Sequence, residues 1–399
     1  MENYEYSNPV KLLYGKDQLE KIADEILPFG RRVLLVYGQK HLKSSGVYDK
    51  IVKLLNEKGL DVYDLEGVKP NPRVSLVRKG VEICKNRDID FILAAGGGSC
   101  SDTAKAIGIG ARIDYDVWQT YEDFHNIMHQ NDGDFSHVPN ETIPVGVIMT
   151  KPGTGSDFDY TSVLSNRETK EKLMVINKVL YPVFSVHDPT LAYTLPKEER
   201  KFGVADIMTH YMEQYFTITK NTLVLDRIKE AGLRTVIESG KTVLDNPEDY
   251  TAQSDLLYCA AWACSDQSMT GAFGAWASHQ IEHEITAITD LNHGNGMAIV
   301  YIGWMKYILP SLPEKFARFA QKVWKIPGDS KSDIELGLEG IEKTASFWES
   351  LGITLSLSKA GVDLSIIPQV AKQAVRFGPL GLIKQLKEQD VINILESVK

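Results

Sequence analysis

The chain predicts an open, parallel, Rossmann-like α/β domain over residues 1–187 followed by an all-helical domain over residues 188–399. Three observations carry that expectation. β-rich runs alternate with helical stretches through the first half, and the alternation stops near Pro189. The length of 399 residues also exceeds the size at which one hydrophobic core keeps growing. Strand–helix–strand alternation implies parallel pairing, because parallel neighbours need long crossover connections.

The elements follow in order. RRVLLVYG is an apolar run ending at Gly38, the pattern of a strand buried on both faces. SGVYDKIVKLLNEKG spaces its apolar residues as a helix does and closes on Gly59. LDVYDL reads as a second strand and VSLVRKGVEICKNR as a second helix, with the turn-rich VKPNPR between them. IDFILAAGGGS is a third strand running into glycines, SDTAKAIGIGA begins the next helix, and TIPVGVIMT is a further strand. Beyond Pro189, ERKFGVADIMTHYMEQYFTIT, LVLDRIKEAGLRTVIESGKTVL, TAQSDLLYCAAWACSDQSM and the last hundred residues read as helices. The seam falls in VFSVHDPTLAYTLP, where a strand-like run gives way to a proline-punctuated turn.

Composition narrows the class. Hydrophobic residues make up 43% and charged residues 24%, as in soluble globular proteins. A formal net charge of -9 argues against a nucleic-acid or anionic-membrane partner and favours a small metabolite. MENYEYSNPVKLLYG lacks the basic start and apolar stretch of a secretory signal, and no run reaches the roughly 18 apolar residues a membrane helix needs. Cys84, Cys100, Cys259 and Cys264 show no CxxC pairing and read as buried free thiols, so a reducing cytoplasm is expected.

Two stretches have phosphate-binding character. GGGSCSDTAK, residues 96–105, joins a strand to a helix; bare glycine backbone admits a diphosphate, and the helix start offers free N–H groups. Ser99 is the expected N-cap. YGQKHLK crowds Lys40, His41 and Lys43 into one turn after Gly38 with no acid among them. Dinucleotide sites choose between a ribose hydroxyl and a 2′-phosphate by offering a carboxylate or a cation, so these cations lean toward NADP(H) over NAD(H).

A third constellation has metal-binding character. Asp206 and His210 stand at i and i+4, a spacing that puts both on one helix face. His279 and His283 repeat the spacing, and His293 follows in LNHGNG. One carboxylate and several imidazoles suit Zn²⁺ or Fe²⁺. Spacing alone does not choose between His279 and His283 as the ligand.

Taken together, NPVKLLYG, VLLVYG, VKPNP, FILAAGGGS, TGSD, ETKEKL, DPTLAYTLP, ADIMTH, EHEITA and HGNGMAIV resemble, in order and almost end to end, the iron-containing (group III) alcohol dehydrogenases and their butanol dehydrogenase-like branch. The resemblance implies the dehydroquinate synthase-like architecture: a dinucleotide-binding α/β domain followed by a helical metal-binding one. It implies metal ligands at Asp206, His210, His279 and His293, and a proton relay at His283. It places Gly97, Gly98, Ser99 and Asp102 at the cofactor's diphosphate and nicotinamide side, and Thr150, Thr154 and Lys172 along the cofactor cleft. The implied activity is NAD(P)(H)-dependent interconversion of small primary alcohols and aldehydes, of the butanol/butanal kind, by a homodimer. Trp262, Phe273 and Trp276 near the motifs suit a small aliphatic substrate, and core packing explains them equally well.

Two departures stand out. Relatives often read YGGGSIK where this chain has YGQKHLK, and TLAATGSE where it has MTKPGTGSD, which brings in Lys151 and Pro152. Two other functions fit the same scaffold: a lyase or cyclase using the dinucleotide transiently, and a non-catalytic metal or nucleotide sensor.

Overall fold

Arg32–Tyr37 forms a strand whose last five residues are all buried, as its unbroken apolar sequence requires. It is β2 of a computed structural model describing residues 1–130, 139–328 and 330–399. The other strands are β1 (Lys11–Tyr14), β3 (Asp61–Glu66), β4 (Phe91–Gly96), β5 (Val145–Met149), β6 (Thr161–Asn166), β7 (Glu171–Ile176) and β8 (Phe184–His187). Among the described residues, six of them form one sheet in the order β1-β8-β5-β4-β2-β3. Every neighbouring pair is parallel.

The crossover helices are α1 (Val47–Glu57), α2 (Val74–Arg87), α3 (Gly98–Gly110) and α4 (Val117–Gln130). Alternate residues of each strand serve opposite faces. Leu34, Val36, Ile92, Ala94 and Val147 pack with Val77 of α2, Ile107 of α3 and Tyr121 of α4. Val33, Leu35, Phe91, Leu93 and Val186 pack with Ile51 and Leu55 of α1 and with Ile22 and Ile26. Fully burying one such side chain contributes about 1.5–3 kcal/mol. Truncating Leu55 to alanine should therefore cost about 2–5 kcal/mol once the cavity is included.

Topology points to where a ligand would bind in this unit. From β2 the chain goes to β3 on one side, then returns to β4 on the other. Ligands of open α/β sheets bind beyond the carboxyl ends of the strands at such a reversal. The two loops there are the ones after Tyr37 and after Gly96. An antiparallel hairpin of β6 and β7 adds a small second sheet.

The helical elements include α5 (Lys197–Tyr215), α6 (Leu223–Asp245), α7 (Ala277–Thr289), α8 (His293–Ile308), α9 (Pro313–Lys322) and α10 (Asp333–Ser350). α5 is buried at every position from Gly203 to Tyr215, and α8 from Gly294 to Met305. Helices buried all round are central ones, and so lack a polar stripe. The first turn of α8 approaches α5 closely: a Cβ at Gly294 would sit 2.3 Å from the Phe202 carbonyl oxygen.

The chain divides into two compact units, Ser7–Pro196 with Pro247–Ala261, and Met1–Tyr6 with Lys197–Asn246 and Trp262–Lys399. Pro247–Ala261 thus returns to the α/β unit, where the Tyr14 hydroxyl lies 2.8 Å from the Ser254 carbonyl and Leu257 joins the core.

Candidate active site

One face of α5 presents Asp206, His210 and Glu213 at i, i+4 and i+7. α7 carries His279, Glu282 and His283, and α8 opens on His293 behind an Asn292 cap whose side chain accepts from the Gly294 N–H. Asp206, His279 and His293 bring one donor atom each to within 4.8 Å of one another. His293 Nε2 stands 3.6 Å from Asp206 Oδ1. His210 lies beside this set, its ring centroid 4.8 Å from that of His279 and its Nδ1 3.4 Å from Asp206 Oδ1.

All three imidazoles use Nδ1 on an oxygen acceptor. His210 donates to the Asp206 carbonyl at 2.8 Å, His279 to Glu213 Oε1 at 3.0 Å and His293 to Glu282 Oε2 at 2.6 Å. That fixes the tautomers and leaves each Nε2 lone pair for a ligand role. Asp206 Oδ1 and His279 Nε2 are buried and make no hydrogen bond. Orphaned buried acceptors are costly unless a cation completes them, so the residues present fit a divalent ion. Glu213 and Glu282 were absent from the sequence reading, although each follows a histidine at i+3 on the same helix face.

His283 is half-buried, with its ring 5.8 Å from that of His293. It groups with Glu282 and His293 as a second three-residue cluster. Both oxygens of Glu282 are already engaged there, by Thr286 and His293, which leaves that cluster poorly suited to an ion. Trp276 precedes α7 with φ +51°, unusual for a bulky residue, and its ring lies 5.2 Å from that of His279 and 6.1 Å from that of His210.

In the α/β unit, Gly97 rather than Ser99 occupies the N-cap of α3, and Ser99 sits inside the first turn, its carbonyl accepting from Thr103. The extended Gly97 lets the chain pass straight from strand to helix without a side-chain cap. Gly98 is sterically required, because a Cβ there would fall 2.0 Å from Thr154 Oγ1. The loop after β5 thus presses on the start of α3, and Thr150 N donates to the Gly96 carbonyl at 2.9 Å. The stem of Lys151 packs over Gly97.

Asp102 is buried and accepts from Ser156 Oγ at 2.5 Å. Burial pushes its carboxyl up to about 7, against the lowering influence of Lys105 and that hydrogen bond. Lys105 is itself fully buried, tying the following loop together through Asp159 Oδ1 and the Thr161 carbonyl, both at 2.8 Å. Lys172 on β7 is buried and reaches Asn71 Oδ1 at 3.3 Å, in the VKPNP loop.

Gly38 ends the first strand, and Lys40–Ser44 forms one helical turn. Lys40 is exposed, and His41 Nε2 lies 3.3 Å from Thr194 Oγ1. Lys43 pairs with Glu66 at 2.6 Å, an acid that β-register sets opposite Tyr37 and that the linear sequence hides. Cys84, Cys100 and Cys259 are buried and Cys264 is half-buried, none of them joined in a disulfide, and burial pushes the Cys84 and Cys100 thiols up to about 12.

A switch-point cradle in an α/β unit and a carboxylate–imidazole cluster in a helical unit are the parts of a metal-dependent, dinucleotide-linked oxidoreductase. Comparison with known proteins agrees. Residues 9–189 match the iron-containing alcohol dehydrogenase model, and residues 202–398 match the model of the C-terminal part of the Fe-containing alcohol dehydrogenase family. The chain belongs to the iron-containing alcohol dehydrogenase family. It is 39% identical over 397 residues to a probable NADH-dependent butanol dehydrogenase 1 of Bacillus subtilis, covering 100% of both chains. It is 32% identical to the NADPH-dependent aldehyde reductase YqhD of Escherichia coli, covering 95% of this chain and 94% of that one. Its fold matches the crystal structure of NADH-dependent butanol dehydrogenase A from Thermotoga maritima with a TM-score of 0.92 and 33% identity, over 100% of this chain and 99% of the other. The chain is accordingly an enzyme of NAD(P)-linked alcohol–aldehyde interconversion. Among the described residues, no helix is long and apolar enough to cross a membrane.

Proposed function

We propose that the enzyme interconverts small primary aldehydes and alcohols, of the butanal/butanol kind, at a divalent iron or zinc ion held by Asp206, His210, His279 and His293. The observation that carries this reading is the set of Nδ1-anchored imidazoles around two buried acceptors that accept no hydrogen bond, Asp206 Oδ1 and His279 Nε2. When bound, the ion supplies Lewis-acid polarisation of the substrate oxygen and the nicotinamide supplies or accepts the hydride.

This chain's side chains do the remaining work. Asp206 contributes the anionic oxygen of the set, and the three imidazoles contribute neutral nitrogens. His283, half-buried beside His293, moves the proton between the substrate oxygen and solvent, a task suited to imidazole. Trp276 supplies an apolar wall next to His279 and favours aliphatic substrates. Gly97, Gly98 and Ser99 receive the cofactor's diphosphate at the start of α3, with Asp102, Thr150, Thr154 and Lys172 around it.

For the 2′-phosphate we propose NADP(H) preference through Gly38, Lys40, His41 and Lys43. Lys43 is already partly neutralised by Glu66, so Lys40 carries most of the discrimination. The NADH-dependent names of several relatives make this the sharpest point to test. A homodimer acting in the cytoplasm completes the proposal.

The test is a kinetic panel from acetaldehyde to hexanal with NADPH and NADH, on protein of measured metal content. Net cofactor oxidation peaking near butanal is expected, with higher kcat/KM for NADPH. Lys40→Ala should raise the KM for NADPH and leave that for NADH unchanged. No turnover with either cofactor would overturn the activity, and a preference for NADH would overturn the phosphate assignment alone.

A further inference from the structure

We infer that Glu213 and Glu282 are positioning residues that preset the histidines for the ion and thereby set metal affinity; the inference rests on the metal reading above. Both are 0% exposed. Glu213 Oε1 accepts from His279 Nδ1 at 3.0 Å, from the His279 backbone N–H at 3.3 Å and from the Ser278 hydroxyl. Glu282 Oε2 accepts from His293 Nδ1 at 2.6 Å while its Oε1 accepts from the Thr286 hydroxyl.

The braces form a chain through the three helices. Glu213 on α5 holds a ring on α7, and Glu282 on α7 holds a ring on α8. His293 on α8 then returns to α5, with Nε2 3.6 Å from Asp206 Oδ1. The surroundings are shaped for these acids. A Cβ at Gly296 would meet Glu282 Oε1 at 2.8 Å, so the glycine of HGNG makes room for that carboxylate.

A purely packing role accounts poorly for them. A buried carboxylate loses its hydration, and an apolar residue of similar volume fills the same space without that cost. Among the described residues Glu213 pairs with no lysine or arginine, and its Oε2 has no hydrogen-bond partner. Asp206 stands within the donor set and Glu213 and Glu282 each stand one imidazole ring behind it, so three buried carboxylates lie near the cluster, a charge balance that a divalent cation improves. An anionic acceptor on Nδ1 also orients the ring and makes Nε2 a better donor, and such outer partners are typically worth about 10–100-fold in metal affinity.

The experiment uses the full chain stripped of metal and titrated with Co²⁺ or Zn²⁺ against a chromogenic chelator, alongside the thermal melt of the metal-free form. Glu213→Ala and Glu282→Ala should each weaken binding about 10–100-fold. Glu213→Gln and Glu282→Gln keep an acceptor oxygen and lose the charge, so they should fall between alanine and wild type. The Co²⁺ visible spectrum should shift in the alanine variants and recover in part in the glutamine ones.

Should the alanine variants fail to fold, the glutamine variants with Ser278→Ala and Thr286→Ala carry the test, each expected to weaken binding measurably. Wild type that binds one ion, lost in His279→Ala, with unchanged affinity in the Glu variants would overturn this inference alone. Wild type that binds no ion would overturn the metal reading and this inference with it.

Discussion

The metal cluster and the cofactor cradle reach specificity by opposite means. In the helical unit, chemistry resides in side chains: Asp206, His210, His279 and His293 are reactive residue types, and buried oxygens set their orientation. In the α/β unit, the cradle is largely backbone, shaped by the absence of side chains at Gly97 and Gly98 and by Thr154 pressing on the helix start. The contrast teaches that a metal site advertises itself by composition, whereas a phosphate cradle does so by position in a strand–helix turn. Substitutions in the first should act on chemistry, and substitutions in the second on cofactor binding.

The largest effect short of losing the ion is expected at His283. His283→Ala should lower kcat by about 10²–10⁴-fold at unchanged metal content, the usual worth of a positioned general acid–base. Loss of bound metal in that variant would instead make His283 a ligand and collapse the distinction between relay and coordination.

A smaller, selective effect is expected at the cradle. Gly98→Ala puts a Cβ only 2.0 Å from Thr154 Oγ1, so the loop or the helix start must move. Overpacking of this kind costs about 1–3 kcal/mol. NAD(P)H binding, followed by nicotinamide fluorescence, should weaken while metal content stays at the wild-type level. A parallel loss of metal would show that the two regions are not independent.

The smallest effect is a pH dependence at Asp102. Its carboxyl is raised from 3.8 to about 7 in the fold, so the native state keeps a proton that the unfolded chain releases. The stability this provides is complete below the unfolded value and is lost as pH rises through about 7. Asp102→Asn should remove this dependence, so that the variant gains on wild type as pH rises from acid to neutral. Melting curves that stay parallel from pH 4 to pH 8 would show that Asp102 is not the group responsible.

How much was legible follows the same division. β2, β4 and β5 could be read because strands buried on both faces are continuous apolar runs. β1 is only four residues long, too short to show a period, and the β6–β7 hairpin alternates weakly and depends on packing against α4 and α3. The return of Pro247–Ala261 to the α/β unit leaves no local mark, because it is a tertiary choice made by a helix-forming segment. The histidines declared themselves by type and spacing.

Glu213, Glu282 and Lys105 did not, since a lone Glu or Lys in a helix reads as solvated surface until burial is known. Glu66 was hidden because only sheet register brings it beside the basic turn. Ser99 yielded the cap to Gly97 because the glycine continues extended backbone up to the first helical residue, a geometry that residue preference alone does not reveal.

Metal content measured by plasma mass spectrometry on wild type, His279→Ala and His293→Ala tests the central claim most directly. One divalent ion per wild-type chain, and its loss in both variants at preserved fold, is the predicted result. Full occupancy retained in both variants would contradict it.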